Sequence, residues 1–543
     1  MQKKLTLGVF FTLFLATTFL PIVWMFGNSV YEEGRFSFAY YRDVFLTLKY
    51  GKVISNSLIL ASITTILSSL FGVPAGFFLT KTNLPLKKLF KICFFIPLII
   101  PSYIIGIAWT NLLGKTGFLN NILSQYLWFS PSSISDFTYS IYGASFILSI
   151  NLFPVVMLVT EYALKSINPR LEESGLVVGS VFQVFRQITF PLIAPAILSG
   201  MMIVFVLSLS EFGVPSLLQV NVLTTQIFTQ FSAFYNEKAA TAIAFPLIVI
   251  TFILIMLEKI YMRGKSFEML GRTSSISTTQ YNITWLNVVG ITFCTLVLLV
   301  CVIIPLSTLI FNTKTISAYH NAILLARNGI TNSVLFGSIG ATLLTFIGFF
   351  LGYLSEKIRS RLKNSTAAFI WIFFAVPATV SGIGLIKLWN RAEGTCQFIY
   401  SSLWIVILGY VIRFLPLSSR IMANYLKQIP NSMEEAGTVT GTSWFRILGK
   451  ILLPLQGYGL IATWLICFMF CVGELGTTIL VYPPGHETLP IALFTVMANS
   501  PTDVVSALSI IIVVMTLLPV GVFLAVSKYL VFKPNQNESV EYF

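Results

Sequence analysis

The sequence predicts an all-α, polytopic membrane protein with about twelve transmembrane helices in two parallel six-helix repeats related by pseudo-two-fold symmetry. The first observation is composition, because 56% of residues are hydrophobic, 10% are charged and the mean hydropathy is +0.85. These values are typical of membrane proteins and exclude an ordinary soluble domain. The second is a series of apolar runs long enough to span a bilayer. The third is the repetition of residue patterns between the two halves.

Apolar runs of about 20 residues predict the membrane spans. The first run follows Lys3 and Lys4 and resembles a signal peptide, but its length favours a retained helix. The predicted spans are 5–26, 57–80, 90–110, 139–160, 192–212, 239–261, 285–311, 333–354, 367–388, 403–422, 457–475 and 504–526.

The net charge of +14 first suggests a nucleic-acid partner, but the distribution of cations argues against one. Lys and Arg occur in short loops between apolar spans instead of forming one basic face. With both termini in the cytoplasm, most of the 34 Lys and Arg, Arg413 counted among them, fall on the cytoplasmic side. This bias predicts the orientation. The six Cys and two His show no disulfide or zinc spacing, and we expect no metal site.

The two halves share long matching segments. NSLILASITTILSSLFGVPAGFFLTK, from Asn56, matches NSVLFGSIGATLLTFIGFFLGYLSEK, from Asn332. The two asparagines are interpreted as helix caps. Six helices return the chain to its starting side, so the halves have the same orientation. We expect a first transmembrane domain over 1–263, a cytoplasmic linker over 264–281, a second domain over 282–532 and a polar tail over 533–543.

Two charged, glycine-containing loops occupy equivalent places in the halves. Residues 171–191 read LEESGLVVGSVFQVFRQITFP, and residues 433–454 read MEEAGTVTGTSWFRILGKILLP. Asn168-Pro169 and the capping-box spacing Ser432-x-x-Glu435 each predict the start of a short helix. The acids suit the first helical turn, the glycines allow close approach, and the prolines are expected to break the chain. The shared residues are Glu172, Glu173, Gly175, Gly179 and Pro191, and Glu434, Glu435, Gly437, Gly441 and Pro454.

The Glu-Glu-x-Gly pattern, the second glycine and the closing proline resemble the coupling loop of permease subunits of ATP-binding cassette importers. Two copies in one chain are similar to the fused permeases of the iron(III) type. The resemblance implies an inner-membrane subunit that binds two copies of an ATP-binding cassette subunit and receives solute from a periplasmic binding protein. The first loop is one residue shorter after Gly179 and has Ser174 where alanine is usual. We therefore expect Glu434, Gly437 and Gly441 to be the less tolerant set.

The sequence also indicates where the energy for transport comes from. Gly114-Lys115-Thr116 is not a Walker A motif, because Trp109 stands where that motif needs its first glycine. We expect no enzyme activity and no bound cofactor, with ATP used by the partner subunit. An ion-coupled secondary carrier is the alternative, but it would normally have charged residues near the middle of the membrane. A membrane-embedded enzyme lacks a supporting polar constellation.

Candidate residues of the translocation path follow each loop. Glu211 and Glu474 lie at equivalent positions, and a carboxylate in a membrane usually faces a cavity or a partner. They could attract a cation at a gate, or they could only cap and brace helices. Pro97 and Pro377 lie within apolar spans, where proline frees carbonyl groups. Both prolines are candidate residues of the translocation path.

The periplasmic loops and the substrate are less clearly marked. Pro483-Pro484-Gly485 predicts a rigid turn that could contact the binding protein or none, and His486 beside Glu487 is interpreted as solvated. Resemblance to the iron(III) type favours ferric iron. Similar permeases also handle thiamine, phosphonates and other small solutes.

Overall fold

A computed structural model describes residues 2–32, 35–126, 130–261, 280–281, 283–357, 369–370, 373 and 376–531. Within these ranges nine helices are long and apolar enough to cross a membrane, and two bent pairs raise the number to as many as eleven. The all-α polytopic fold is therefore confirmed. The nine helices are Gln2–Ser29, Leu48–Lys81, Ile141–Ser166, Val181–Leu209, Glu237–Glu258, Thr284–Asn312, Arg327–Lys357, Leu403–Lys427 and Thr502–Phe523.

The third predicted span is not one straight helix. Lys87–Ile99 and the helix that begins at Ser102 meet at 97°. Pro101 accounts for the break, because the residue before a proline is driven out of the helical conformation, and Ile100 is extended. In the second repeat, Ala378–Trp389 is a short apolar helix, and part of the predicted span 367–388 lies outside the described residues.

Within the described ranges, four π-helical turns widen the spanning helices, and each ends two residues before a proline. Proline removes a backbone donor and crowds the preceding turn, which a wider turn relieves. Pro191 therefore lies inside the continuous helix Val181–Leu209, and the prediction that it breaks the chain is wrong. In the second repeat, Trp444–Leu455 and Gly457–Gly473 are bent by 73° just after Pro454. The π-helical turns are Leu15–Phe19, Phe185–Thr189, Leu299–Ile303 and Leu448–Leu452.

Short helices and one hairpin connect the spans. Tyr31–Glu32 pairs antiparallel with Arg35–Phe36. The short helices outside the spans are Ala39–Leu46, Phe118–Tyr126, Pro131–Thr138, Pro169–Val178, Gly213–Leu217, Leu223–Ser232, Ile316–Leu325, Gly394–Tyr400, Asn431–Val439, Thr478–Val481 and Leu489–Met497.

The centre of each repeat is a close helix pair built on small residues. A Cβ added at Gly72 would lie 2.7 Å from the carbonyl oxygen of Phe153, and one at Gly352 would lie 2.8 Å from that of Ser419. Lipid offers helices no hydrophobic driving force, so close backbone approach at small residues stabilises such pairs. The equivalent pairing in both repeats agrees with their sequence match.

The first helix of each repeat packs on the opposite repeat. Near the N-terminus, the Phe10 ring stacks on Phe350 of the second repeat with centroids 4.0 Å apart. In the other direction, Gly290 lies against Phe78 of the first repeat, where an added Cβ would be 2.9 Å from the ring. The two repeats are therefore interlocked through their first helices.

Candidate functional site

The two loops that match between the halves form short helices. We name them the first loop helix, Pro169–Val178, and the second loop helix, Asn431–Val439. The predicted N-cap of the first is confirmed, because the Arg170 N–H donates to Asn168 Oδ1 at 3.1 Å. The capping box predicted at Ser432 is wrong. Pro430 is the N-cap residue and no side chain caps this helix, so Ser432 already lies in its first turn.

The first loop helix is anchored by a buried ion pair. Lys81, the last residue of its helix, pairs with Glu172, and the two side chains are 1% and 0% exposed. Thr189 Oγ1 also donates to Glu172 Oε1 at 2.8 Å. Charges this deeply buried are stable only when paired and hydrogen-bonded. Glu172 therefore fixes the loop helix to the second helix of its repeat.

The second loop helix repeats this arrangement in a looser form. Lys357 ends the equivalent helix and lies 3.8 Å from Glu434 Oε1, and Lys3 lies 3.7 Å from Oε2. The Tyr353 hydroxyl donates to Glu434 Oε2 at 2.5 Å. The Glu434 side chain is 13% exposed. Both repeats thus have a glutamate and a lysine at equivalent positions. The hydroxyl that donates to the glutamate is Thr189 in the first repeat and Tyr353 in the second, and these lie on helices that are not equivalent.

The second acid of each pair has a different environment from the first. Glu173 and Glu435 are exposed, next to apolar side chains that also face outward. Val177 is 86% exposed, and Val439, at the equivalent position, is 87% exposed. Each loop helix therefore has an inner face, fixed by Glu172 or Glu434, and an outer face that combines an acid with valine.

The loop glycines allow contact with the chain's own next helix. A Cβ at Gly175 would lie 2.7 Å from Ile188 Cδ1, and one at Gly437 would lie 3.0 Å from Ile447 Cγ1. The second glycines differ, because Gly441 has φ +72° and Gly179 has φ −135°. Only Gly441 occupies the left-handed region that favours glycine.

A linker residue covers the first anchor, and a residue of the first repeat covers the second. The Tyr281 N–H donates to the Lys81 carbonyl at 2.7 Å, and burial, with the nearby Glu172 carboxylate, raises the pKa of Tyr281 to about 12. At the second anchor, the Lys3 ammonium lies 4.7 Å from the Tyr353 ring centroid. Sequence reasoning missed these contacts, although Lys81 and Lys357 end the two matching segments.

Broken helices and their caps define the centre of the molecule. Asn151 Nδ2 donates to the carbonyl of Pro97 at 2.5 Å and to that of Ile100 at 2.8 Å. At the equivalent position, Arg413 Nη1 donates to the carbonyl of Val376. Counting Arg413 as a cytoplasmic loop cation was wrong, because it lies in the middle of Leu403–Lys427.

Sequence reasoning missed Asn151 and Arg413 as a pair. The pattern Ile150-Asn-Leu-Phe-Pro154 matches Ile412-Arg-Phe-Leu-Pro416, so an alignment of the two repeats could have found them. The freed carbonyls expected around Pro97 are present. Pro377 is the N-cap residue of Ala378–Trp389 and directly follows the carbonyl that Arg413 caps.

The two candidate path carboxylates brace tight turns. Ser102 Oγ donates to Glu211 Oε1 at 2.7 Å, and the Gly213 N–H donates to the same oxygen at 3.2 Å. The N–H groups of Thr477 and Thr478 donate to the two oxygens of Glu474 at 2.6 and 2.9 Å. This geometry fits the bracing alternative, and it leaves contact with a solute untested.

The repeats meet beside these carboxylates. A Cβ at Gly473 would lie 2.8 Å from Pro101 Cγ, and one at Gly476 would lie 3.7 Å from Phe212 Cβ. Pro97, Pro101, Glu211 and Glu474 are thus brought to one level of the molecule. Here the two repeats are in direct contact.

Loops that follow Glu211 and Glu474 in the sequence are held to the second helix of each repeat by asparagine hydrogen bonds. Asn56 Nδ2 donates to the Asn221 carbonyl at 3.0 Å, and Asn332 Nδ2 donates to the Glu487 carbonyl at 2.9 Å. Both asparagines lie inside helices, so their interpretation as caps is wrong. The Pro483 turn is confirmed, because the His486 N–H donates to the Pro483 carbonyl at 3.0 Å and Gly485 has φ +79°.

Across the part of the chain that the structure describes, no group of three or more His, Cys, Asp or Glu side chains could hold a metal ion. His486 lies against the Phe336 ring, with centroids 5.9 Å apart.

Two parallel membrane repeats, each with an anchored loop helix and a polar centre, define a membrane transport component. The chain belongs to the family of binding-protein-dependent transport system inner membrane components, which it matches over residues 68–267 and 345–533. The two matches confirm a fused, two-domain member of this family. The family match and the apolar helices together indicate a multi-pass inner-membrane protein.

Three relatives illustrate the range of the family. An iron(III)-transport system permease of Haemophilus influenzae is 23% identical, over 87% of this chain and 89% of its own. A ferric transport system permease of Actinobacillus pleuropneumoniae is 24% identical, over 74% of this chain and 61% of its own. A sulfate transport system permease of Salmonella typhimurium is 25% identical, over 45% of this chain and 90% of its own.

Proposed function

We propose that this chain is the membrane-spanning permease subunit of an ATP-driven importer. It passes ferric iron from a periplasmic binding protein to the cytoplasm by alternating access. The observation that carries the proposal is the pair of loop helices, anchored at equivalent carboxylates and exposing equivalent outer faces. Two copies of an ATP-binding cassette subunit bind these faces, and both termini lie in the cytoplasm.

The anchors give a route for movement. Glu172 ties the first loop helix to Lys81, and the following helix runs without a break from Val181 to Leu209. Glu211 lies just beyond that end, at the contact between the repeats. A displacement of the loop helix by the ATPase subunit therefore reaches the closed part of the path through one rigid helix. The chain itself hydrolyses no ATP.

Ferric iron is the proposed substrate because the two ferric relatives match most of this chain. The sulfate relative is a shorter protein, matched over 90% of its own length and 45% of this chain, so it does not share the fused length of the chain. The binding protein delivers the solute, and its affinity for ferric iron, sulfate, thiamine and phosphonate tests the assignment. Tighter binding of any of these other solutes than of ferric iron would contradict it.

The test of the loop helices uses their outer faces. Val177→Arg and Val439→Arg should abolish co-purification with the ATPase subunit, because each places a long cation where an apolar contact forms. Phe36→Arg, at a side chain 77% exposed in the hairpin, is the matched control and should keep the complex. Full retention of the complex in both valine variants would contradict the proposal.

A second assay separates an importer from an ion-coupled carrier. Proteoliposomes containing the chain alone should show no uptake under an ion gradient. Uptake should require the ATPase subunit, the loaded binding protein and internal ATP. Gradient-driven transport by the isolated chain would establish the carrier instead.

A further inference from the structure

Arg413 is a charged residue in the middle of a membrane-spanning helix. It lies in Leu403–Lys427, a helix whose other residues near it are apolar or buried. A cation at this depth is costly and is usually retained for a function. Its observed hydrogen bond, from Nη1 to the Val376 carbonyl, uses only part of a group with five N–H donors.

The first repeat shows that the structural task does not need a charge. Asn151, at the equivalent position, caps the carbonyls of Pro97 and Ile100 with a neutral amide. Both residues therefore satisfy the carbonyls that a broken helix leaves free. Because an amide is sufficient in one repeat, the positive charge in the other is surplus to that task.

Two further unused donors are tyrosine hydroxyls, one from each repeat. Tyr410 precedes Arg413 by three residues and so lies on the same helix face. Tyr103 packs against Gly213 beside Glu211, because a Cβ added at Gly213 would lie 3.2 Å from Tyr103 Cβ and 3.2 Å from Glu211 Oε1. Both hydroxyls are buried, and neither has a hydrogen-bond partner in the described part of the chain. Buried hydroxyls are normally paired, so these two, together with the partly used guanidinium, indicate a place for an acceptor.

The nearby carboxylates do not fill this place. Glu474 and Glu211 are close enough to act electrostatically on Arg413, but no ion pair joins it to either among the described residues. Both oxygens of Glu474 already accept backbone N–H groups, and Glu211 Oε1 accepts from Ser102 and Gly213. The cluster therefore combines fixed carboxylates with free donors.

We propose that Arg413, Tyr103 and Tyr410 bind an anionic oxygen ligand as the solute passes the contact between the repeats. The ligand is an oxyanion, either free or still bound to the ferric ion. The inference rests on the proposed function, since it assigns a substrate class to the same path. A metal ion that carries an anion suits the mixed cluster, because the fixed carboxylates attract the cation electrostatically and the free donors bind the anion.

The test uses the complete transporter in proteoliposomes, with ferric iron loaded on the binding protein. Uptake of ⁵⁵Fe is measured in carbonate-free buffer, alone and with phosphate, sulfate or carbonate added singly. Arg413→Asn copies the first repeat and keeps an amide cap, and it should lower uptake at least tenfold. Arg420→Asn removes a cation from the same helix two turns further on, and it should change uptake less than twofold.

Tyr410→Phe is a second variant, which tests the inference even if Arg413→Asn fails to assemble. Removing an unpaired buried hydroxyl should leave thermal stability equal or higher, whereas a role in binding predicts at least threefold lower uptake. Wild-type uptake in both Arg413→Asn and Tyr410→Phe, or iron uptake that no anion stimulates, would overturn the inference.

Labelled anions separate the two sources. Uptake of ³²P-phosphate or ³⁵S-sulfate only together with iron indicates a metal-borne anion, and uptake without iron indicates a free one. The proposed function fails separately, if wild-type uptake does not require ATP and the binding protein.

Discussion

Lys81 and Glu172 form an ion pair that is almost wholly removed from solvent, at the junction of a spanning helix and the first loop helix. Their equivalents, Lys357 and Glu434, are 3.8 Å apart, and the carboxylate keeps some exposure. The same two residue types thus form a tight anchor in one repeat and a looser one in the other. This difference changes the expected effects of mutation.

Glu172→Gln should destabilise the protein by about 3–5 kcal/mol, because it leaves Lys81 buried without a counter-ion. Thermal unfolding of the detergent-solubilised protein measures the loss. Glu434→Gln should have a smaller effect, and Glu173→Gln, at an exposed side chain, should stay within about 0.5 kcal/mol. The double variant Lys81→Met with Glu172→Leu should recover most of the stability. Equal losses at Glu172 and Glu434 would contradict the difference in anchoring.

Gly441→Ala should cost about 1–2 kcal/mol, since the residue has φ +72° and alanine is strained there. No atom lies within 4 Å of the added Cβ, so the cost is conformational and not steric. Hydrogen exchange of residues 438–443 should rise. Gly441→Asn should recover much of the protection, because asparagine tolerates this region. Gly179→Ala should have little effect on exchange, and a large effect there would refute this reasoning.

Gly473→Ala should disfavour the closed contact between the repeats, because the new Cβ would lie 2.8 Å from Pro101 Cγ. Overpacking of this kind costs about 1–3 kcal/mol, enough to change the closed population about tenfold. Uptake, and ATP hydrolysis without binding protein, should both change. Gly457→Ala is the control, since nothing lies within 4 Å of its added Cβ. Identical behaviour of the two variants would show that the contact does not close the path.

Glu474→Gln should destabilise the protein more than Glu211→Gln. An amide at 474 would present N–H donors to a backbone N–H that now donates to the carboxylate, a mismatch of about 1–3 kcal/mol. At position 211 a glutamine can keep its oxygen toward Ser102 and Gly213. Glu211→Gln should therefore assemble normally and lower uptake, which would separate a role in the path from bracing. Normal uptake with normal assembly would leave Glu211 as a brace alone.

The sequence allowed the fold to be predicted because hydrophobic length and internal repetition are direct consequences of a bilayer. It also placed both loop helices, since capping residues and acids mark a helix start. It did not allow the distinction between Glu172 and Glu173, because adjacent acids differ only in which helix face they occupy after packing. The spacing argument made the second loop the less tolerant, and burial indicates that Glu172 is the more sensitive carboxylate. Which of the two loops tolerates mutation better in a transport assay stays a prediction.

The central cluster was harder to foresee. Arg413 was counted with the cytoplasmic cations although the predicted span 403–422 already contained it, so the charge count was wrong and the span was right. Proline was expected to break chains, but the outcome depends on whether the preceding turn can widen, as it does before Pro191. Asn56 and Asn332 were interpreted as caps because their loop partners lie more than a hundred residues away in sequence. Such long-range hydrogen bonds are set by tertiary packing, which a local pattern does not encode.

The interlocking of the first helices has a consequence for biosynthesis. Phe10 and Lys3 leave the ribosome early, but their partners Phe350 and Glu434 are made only when the second repeat is translated. The helix Gln2–Ser29 therefore remains in the bilayer without these partners until most of the chain has been inserted. During this time its packing face contacts lipid or a chaperone. Maturation is consequently governed by the last-made half, and a ribosome stalled in the second repeat would leave the first without its closing partners.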